Sequence, residues 1–206
     1  RLGSLEYDNI DSRFIESIRP IKKLCPQFHL SLQSGSDKIL RAMNRHYTSA
    51  QYAQLCDTLR QDFPGAAITT DIMAGFPGET DDDHAQTLDL IRKIRFEKVH
   101  VFPYSKRAGT PAASMPQVSN AVKLKRAHEI SQLSSAIRSG YLESCEGSMY
   151  DVLCERKHDG YCLGYTANYT PVKVITDKDL QGLIVPVLIN GTEDGMCTGQ
   201  IYEKEL

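Results

Sequence analysis

Three short stretches gather side chains that can hold a small polar ligand. HLSLQSGSD (29–37) ends an alternating apolar run on Gln33, Ser34 and Ser36, with Gly35 between the serines. An amide and two hydroxyls there suit a ribose or a carboxylate. GFPGET (75–80) sets Gly75 and Gly78 around Pro77 and closes on Glu79. Glycines let the backbone approach a flat ligand, and a proline stiffens the turn. A helix starting after them offers free N–H groups. The phosphate-cradling pattern GxxxxGK[ST] is absent, because no lysine follows these glycines. FPYSKRAGTPAA (102–113) crowds Tyr104, Ser105, Lys106 and Arg107, and a guanidinium there suits a phosphate or carboxylate. Each stretch also has a plainer reading: serines that only cap a helix, a tight turn, a loop tied down by its own polar groups. Arg45 and His46 fall past a short helix, where such residues are usually solvated. His84, His100 and His128 lack ligand-like spacing and a nearby nucleophile, and read as structural.

The elements that must position these residues alternate. RLGSLE (1–6) reads as a strand, and Phe14, Ile15, Ile18 and Ile21 follow at helical spacing. FHLSLQSG (28–35) is a strand that stops at a glycine. Ser36 caps a short helix, and Thr48 with Gln51 forms a capping box before Tyr52, Leu55, Cys56, Leu59 and Phe63. Residues 66–74 are the next strand. Thr80 caps a helix bearing Ala85, Leu88, Ile91 and Ile94. KVHVFPY (98–104) is a strand, 105–116 a loop, and a long helix runs from Ser119 to about Leu142. The order β-α-β-α-β-α-β-α implies a parallel sheet, in a barrel or an open doubly wound form. In both, ligands bind at the carboxyl ends of strands. That rule selects Ser4 and Glu6, Gln33 to Gly35, Gly75 to Glu79, and Tyr104, Ser105 and Arg107. Four strands cannot close a barrel of about eight.

From Cys145 onward, short β-rich runs take over: MYDVLCER, GYCLGYTANYTPVKVI, LIVPVLI and CTGQIYEKEL. Turn signals stand at Asp159-Gly160, Asp177 to Asp179 and Asn190-Gly191, which suggests a small OB-like β-barrel. Pro186 points to a strand edge or a bulge. The expected domains are 1–144 and 145–206. The first carries 19 Lys+Arg against 16 Asp+Glu, the second 5 against 10, a net −5 that does not announce nucleic-acid binding by charge. The six cysteines include no CxxC pair and read as buried reduced thiols of a cytoplasmic protein. The longest apolar run, LIVPVLI (183–189), is far short of the roughly 18 residues of a membrane span, so no membrane partner is expected. Arg1 stands inside an apparent strand, so the chain is expected to be part of a longer protein.

Taken together, the motifs resemble those of the radical S-adenosylmethionine methylthiotransferases. The resemblance rests on GSLE (3–6), HLxxQSGSDxILxxMxRxYT (29–48), GFPGET and FxYSxRxGTxA (102–112). The tail resembles the TRAM domain that closes such proteins. HLSLQSG, FPYSKRAGTPAA and GYTANYTPVKV are most similar to the branch acting on threonylcarbamoyladenosine in tRNA, and Arg107 favours tRNA over a ribosomal protein. The resemblance implies the later half of a partial, TIM-like β/α barrel followed by an OB-like TRAM barrel. It implies addition of a methylthio group to C2 of N6-threonylcarbamoyladenosine beside the anticodon. S-adenosylmethionine and two [4Fe-4S] clusters in the full-length parent would serve that reaction. Gln33, Ser34, Gly35, Arg45, Gly75, Pro77, Gly78 and Glu79 would bind S-adenosylmethionine, with Tyr104, Ser105 and Arg107 on the substrate side. The implied partners are tRNA, a sulfur donor and the missing amino-terminal domains. The cluster-holding CxxxCxxC is not in the sequence, so residues 1–206 are expected to bind no cluster and to be inactive alone. A methylthiotransferase for another adenosine or a ribosomal protein, and a non-catalytic RNA-binding module, are the competing readings.

Overall fold

Strands β1 (Ser4–Leu5), β2 (Gln27–Leu30), β3 (Ala67–Ala74) and β4 (Lys98–Pro103) form one sheet in chain order. β1 and β2 are parallel, as are β3 and β4. A parallel bridge from Gln33 to Ile72 extends the seam between β2 and β3. The helices are α1 (Ser12–Ile18), α2 (Asp37–Ala42), α3 (Ser49–Asp62), α4 (Asp81–Ile94) and α5 (Asn120–Glu143). The computed structural model describes residues 1–202. They fall into two units, residues 1–24 with 28–137, and residues 25–27 with 138 onward.

Local chemistry sets the helix starts. Asp11, Ser36, Thr48 and Thr80 each accept a hydrogen bond from the backbone N–H three residues on. Thr48 with Gln51, and Thr80 with Asp83, complete reciprocal capping boxes. Tyr52, Leu55, Cys56 and Leu59 of α3 are buried as their spacing predicts. Two helical expectations shift. Ile21 lies beyond α1 and is exposed. In α4 the inward positions are His84, Thr87, Leu90, Ile91 and Ile94, while Ala85 faces out.

One face of the sheet is apolar and joins the core. Phe28, Leu30, Leu32, Ile68, Ile72 and Ala74 cluster there with Leu59, Ile91, Ile94 and Ile130 from the helices. Each fully buried side chain of this size contributes about 1.5–3 kcal/mol. The alternate residues form the other face: His29, Thr69, Asp71, Met73, His100 and Phe102. Parallel strands buried on both faces read as continuous apolar runs. These strands alternate, because the second face is polar and only partly buried.

In the second unit, β5 (Met149–His158), β6 (Tyr161–Thr166), β7 (Pro171–Ile175), β8 (Ile184–Glu193) and β9 (Met196–Ile201) close into a barrel of order β5-β6-β7-β9-β8. Val152, Cys154, Cys162, Val172, Val174, Val187, Ile189 and Cys197 fill it. Gly164 and Gly199 have no room for a Cβ, because Leu153 O and Leu188 O stand against them. Asn190-Gly191 is not the turn it resembles. The register shifts between Ile189 and Gly191 inside β8, and Asp194-Gly195, both at positive φ, make the reversal. A bulge and a tight hairpin favour the same residues, so composition alone cannot separate them. Pro186 lies on no free edge: it is in register with Asp151 of β5, and its carbonyl accepts from Tyr202 N–H. The last four residues of CTGQIYEKEL lie outside the described residues.

Candidate active site

The carboxyl ends of the strands carry two cavities of about 300 and 450 Å³. Both are lined by Met73, Phe76, Thr110 and Ala112. The smaller adds Gln33, Met43, Asn44 and Arg45; the larger adds Phe102, Pro103, Tyr104, Ser105 and Arg107. Met73 and Phe102 are paired neighbours at the end of the polar sheet face, which therefore leads into the cavities.

Gln33 reaches its cavity through a costly backbone. Its φ is 73°, the left-handed region that non-glycine residues avoid. β3 holds it there: Gln33 N–H donates to Asp71 O at 2.8 Å, and Gln33 O accepts from Met73 N–H at 2.9 Å. Tyr47 Oη braces the strand before it, donating to Ser31 O and Leu32 O at 2.9 and 3.0 Å. Burial pushes that phenol up to about 12. Arg45 pairs with Glu6, joining the end of β1 to the segment after α2.

Other expected site residues turn inward. Ser34 is buried and its Oγ accepts from Ser36 N–H. Gly35 meets α4, with its N–H donating to Thr87 Oγ1 at 3.0 Å. The GFPGET loop closes on itself: Gly75 N–H donates to Glu79 Oε1 at 3.0 Å. Arg126 of α5 donates to the same Oε1 at 2.7 Å, to Glu79 O at 3.1 Å and to Asp81 Oδ1 at 2.7 Å. Burial raises the Glu79 carboxyl, opposed by Arg126. Lys38 ties the loop from α2, donating to Gly78 O at 3.1 Å and Asp83 Oδ2 at 2.7 Å. Thus Gln33, Arg45, Tyr104, Ser105 and Arg107 line the two cavities. Ser34, Gly35, Gly75, Pro77, Gly78 and Glu79 line neither, and all but Pro77 make the hydrogen bonds that fix the segments that do.

Asp83 anchors this bracing. Burial works against its charge. Hydrogen bonds from Lys38, from the Thr80 N–H and hydroxyl, and from Ser36 outweigh that and hold the carboxyl well below the usual carboxylate range. A depressed folded value gives stability that is present above the unfolded value of about 3.9 and lost as pH falls toward the folded one. Urea midpoints measured between pH 7 and pH 3 should therefore fall more steeply for the wild-type chain than for Asp83→Asn. Parallel slopes would remove Asp83 from this role.

Several lining and facing residues are not among the expected site residues, although Met43 and Phe76 stand inside the quoted motifs. Met43, Met73 and Phe76 look like ordinary core. On the polar face His29 joins Thr69 Oγ1 at 3.0 Å and Asp71 Oδ2 at 3.2 Å, and its ring meets that of His100 at 5.7 Å. Burial lowers His100, helped by Lys98 and opposed by Asp71. His84, by contrast, is buried and bonded to Glu129 at 2.7 Å, linking α4 to α5. In the barrel, Tyr165 and Tyr169 stack with centroids 4.3 Å apart at 8°. His158 and Tyr161 stack at 4.7 Å, with Lys173 over the Tyr161 ring. Lys173 also pairs with Glu193 at 2.6 Å, which reduces the positive charge on that face.

Apolar floors from Phe76 and the methionines, with amide, guanidinium and phenol groups at the edges, fit nucleoside-sized ligands. They thus fit the adenosine part of S-adenosylmethionine. Among the described residues no group of three or more His, Cys, Asp or Glu could hold a metal ion. No helix among them is long and apolar enough to cross a membrane.

A parallel sheet with its cavities at the carboxyl ends and helices against one face defines an α/β core with a ligand-sized site. The Radical SAM superfamily model matches residues 5–91. The fold is similar to that of Escherichia coli coproporphyrinogen III oxidase, with a TM-score of 0.53 at 14% identity over 80% of this chain and 44% of that one. It is also similar to Methanocaldococcus infernus Elp3, at 0.50 and 12% over 98% and 58%. Over most of its length the chain is homologous to tRNA methylthiotransferases. It is 41% identical over 191 residues to tRNA-2-methylthio-N(6)-dimethylallyladenosine synthase of Pelotomaculum thermopropionicum, covering 91% of this chain and 43% of that protein. It is 36% identical to threonylcarbamoyladenosine tRNA methylthiotransferase MtaB of Bacillus subtilis, covering 92% and 43%. The chain therefore spans less than half the length of these curated relatives.

Proposed function

We propose that the chain is part of a cytoplasmic tRNA-modifying enzyme that adds a methylthio group to C2 of N6-threonylcarbamoyladenosine near the anticodon. Residues 1–144 are its share of the barrel and residues 145–206 its TRAM domain. The observation that carries the substrate choice is the larger cavity, whose Tyr104, Ser105 and Arg107 edge suits a carboxylate-bearing N6 substituent. S-adenosylmethionine held by Gln33 and Arg45, together with a [4Fe-4S] cluster of the parent enzyme, would supply the radical chemistry needed at C2. The chain's own residues bind and orient. Gln33 and Arg45 hold the nucleoside at the smaller cavity, Phe76 and Met73 exclude water, and the braced GFPGET loop keeps Phe76 in place. A sulfur donor, a second cluster and the amino-terminal domains complete the parent enzyme. The stacked Tyr165 and Tyr169 give the TRAM domain a place to meet tRNA bases.

The relatives named for dimethylallyladenosine favour a second reading, in which the N6 substituent is a hydrocarbon. Mass spectrometry of tRNA nucleosides from cells lacking the parent gene separates the two. Loss of the methylthio form of threonylcarbamoyladenosine, with its unmodified precursor accumulating, is the expected result. Loss only from dimethylallyladenosine selects the second reading, and loss from neither leaves an RNA-binding module. Three thiolates at CxxxCxxC spacing are not present in residues 1–206. Reconstitution of this chain with iron and sulfide should therefore yield no cleavage of S-adenosylmethionine.

A further inference from the structure

Lys123 is 6% exposed, and among the described residues no carboxylate pairs with it. Lysine is almost never buried unless paired. The contact it makes is with the face of Tyr104, its Nζ 5.0 Å from the ring centroid. Tyr104 is itself 8% exposed, and its buried hydroxyl has no hydrogen-bond partner. Arg126, one turn along α5, is as deeply buried but has Glu79 and Asp81. The difference is specific to Lys123. The fold also makes room for it: a Cβ on Gly75 would stand 2.5 Å from Lys123 Cγ, so the first glycine of GFPGET lets the lysine stem pass.

We propose that Lys123 and Tyr104 form an anion subsite of the larger cavity, taking the carboxylate of a nucleoside ligand. Tyr104 is a wall of that cavity, and Phe76 meets its ring edge-on at 5.4 Å. One ammonium calls for one negative charge. A phenol O–H adds a single directed donor, which matches a carboxylate and falls short of a doubly charged phosphate. Arg107, at the exposed rim of the same cavity, would draw the anion in. The proposal deepens the reading of the site given above and rests on it. Two ligands there carry such a group: the threonyl carboxylate of the substrate base and the methionyl carboxylate of S-adenosylmethionine.

The test is calorimetric titration of this chain with two matched pairs. One is N6-threonylcarbamoyladenosine and its methyl ester; the other is S-adenosylmethionine and its decarboxylated form. The wild-type chain should prefer the free acid of at least one pair by about tenfold or more, and the pair that discriminates identifies the source. Lys123→Gln should bring that ratio close to one, Lys123→Arg should keep most of it, and Tyr104→Phe should narrow it. A wild-type ratio of one for both pairs overturns the proposal, as does a ratio that survives Lys123→Gln. If Lys123→Gln fails to fold, the Lys123→Arg and Tyr104→Phe ratios decide. Discrimination by the cofactor pair alone keeps the subsite and removes its support for a threonylcarbamoyl substrate, which the nucleoside analysis tests separately.

Discussion

Replacing Arg126 by methionine should cost about 3–5 kcal/mol of folding stability, the loss expected when one partner of a buried ion pair is removed. The Arg126 and Glu79 side chains are 6% and 3% exposed, and one guanidinium nitrogen serves both the carboxylate and the carbonyl of Glu79. Without it, Glu79 keeps only the Gly75 N–H as a hydrogen-bond partner in a buried loop. Burial already raises this carboxyl with Arg126 beside it, so in Arg126→Met it should rise further. A raised folded value means that the stability it contributes is present below the unfolded value and lost as pH rises through the folded one. The deficit should therefore be smaller near pH 5 than at pH 8. Urea unfolding at both values checks the sign. The double variant Arg126→Met with Glu79→Gln should recover most of the loss, since no charge is then stranded. A single-variant loss below about 1 kcal/mol would show that the pair does not brace the loop.

Gly35→Ala should be nearly as damaging, by about 1–3 kcal/mol or more. The new Cβ would fall well inside contact distance of the Thr87 Cα, with Gln86 O and Thr87 N also crowded. These are backbone atoms of α4, so no side-chain rotation relieves them. Either α4 moves away or the turn after Gln33 does. The first breaks the Gly35 N–H bond to Thr87 Oγ1, and the second pulls Gln33 from its bridge to β3. Loss of stability together with weaker binding of S-adenosylmethionine is the expected pair of results. Wild-type behaviour in both would mean that α4 shifts freely.

How much was legible depends on how far each contact reaches along the chain. Ser36, Thr48 and Thr80 were readable as caps because each bonds three residues away. The strand ends were readable from alternation, and with them Gln33, Tyr104, Ser105 and Arg107. Glu79 and Gly35 were drawn to the same region by motif, yet their chemistry faces inward. Glu79 meets Arg126 47 residues on, and Gly35 meets Thr87 52 residues on. Nothing local in GFPGET or QSGS announces those partners. Asn190-Gly191 fails for a related reason: bulges and turns ask for the same residues, and only pairing with β9 distinguishes them.

The sequence by itself determined the order of strands and helices, several of their caps and the strand ends expected to carry a ligand. These follow from local hydrogen bonds and from apolar period. The tertiary structure alone decided which polar residues face the cavities and which brace the loops behind them. It also decided that Lys123 is buried against Tyr104 while its neighbour Arg126 takes the carboxylates. Burial and charge pairing depend on which elements meet across the fold, and that information is not local to any motif.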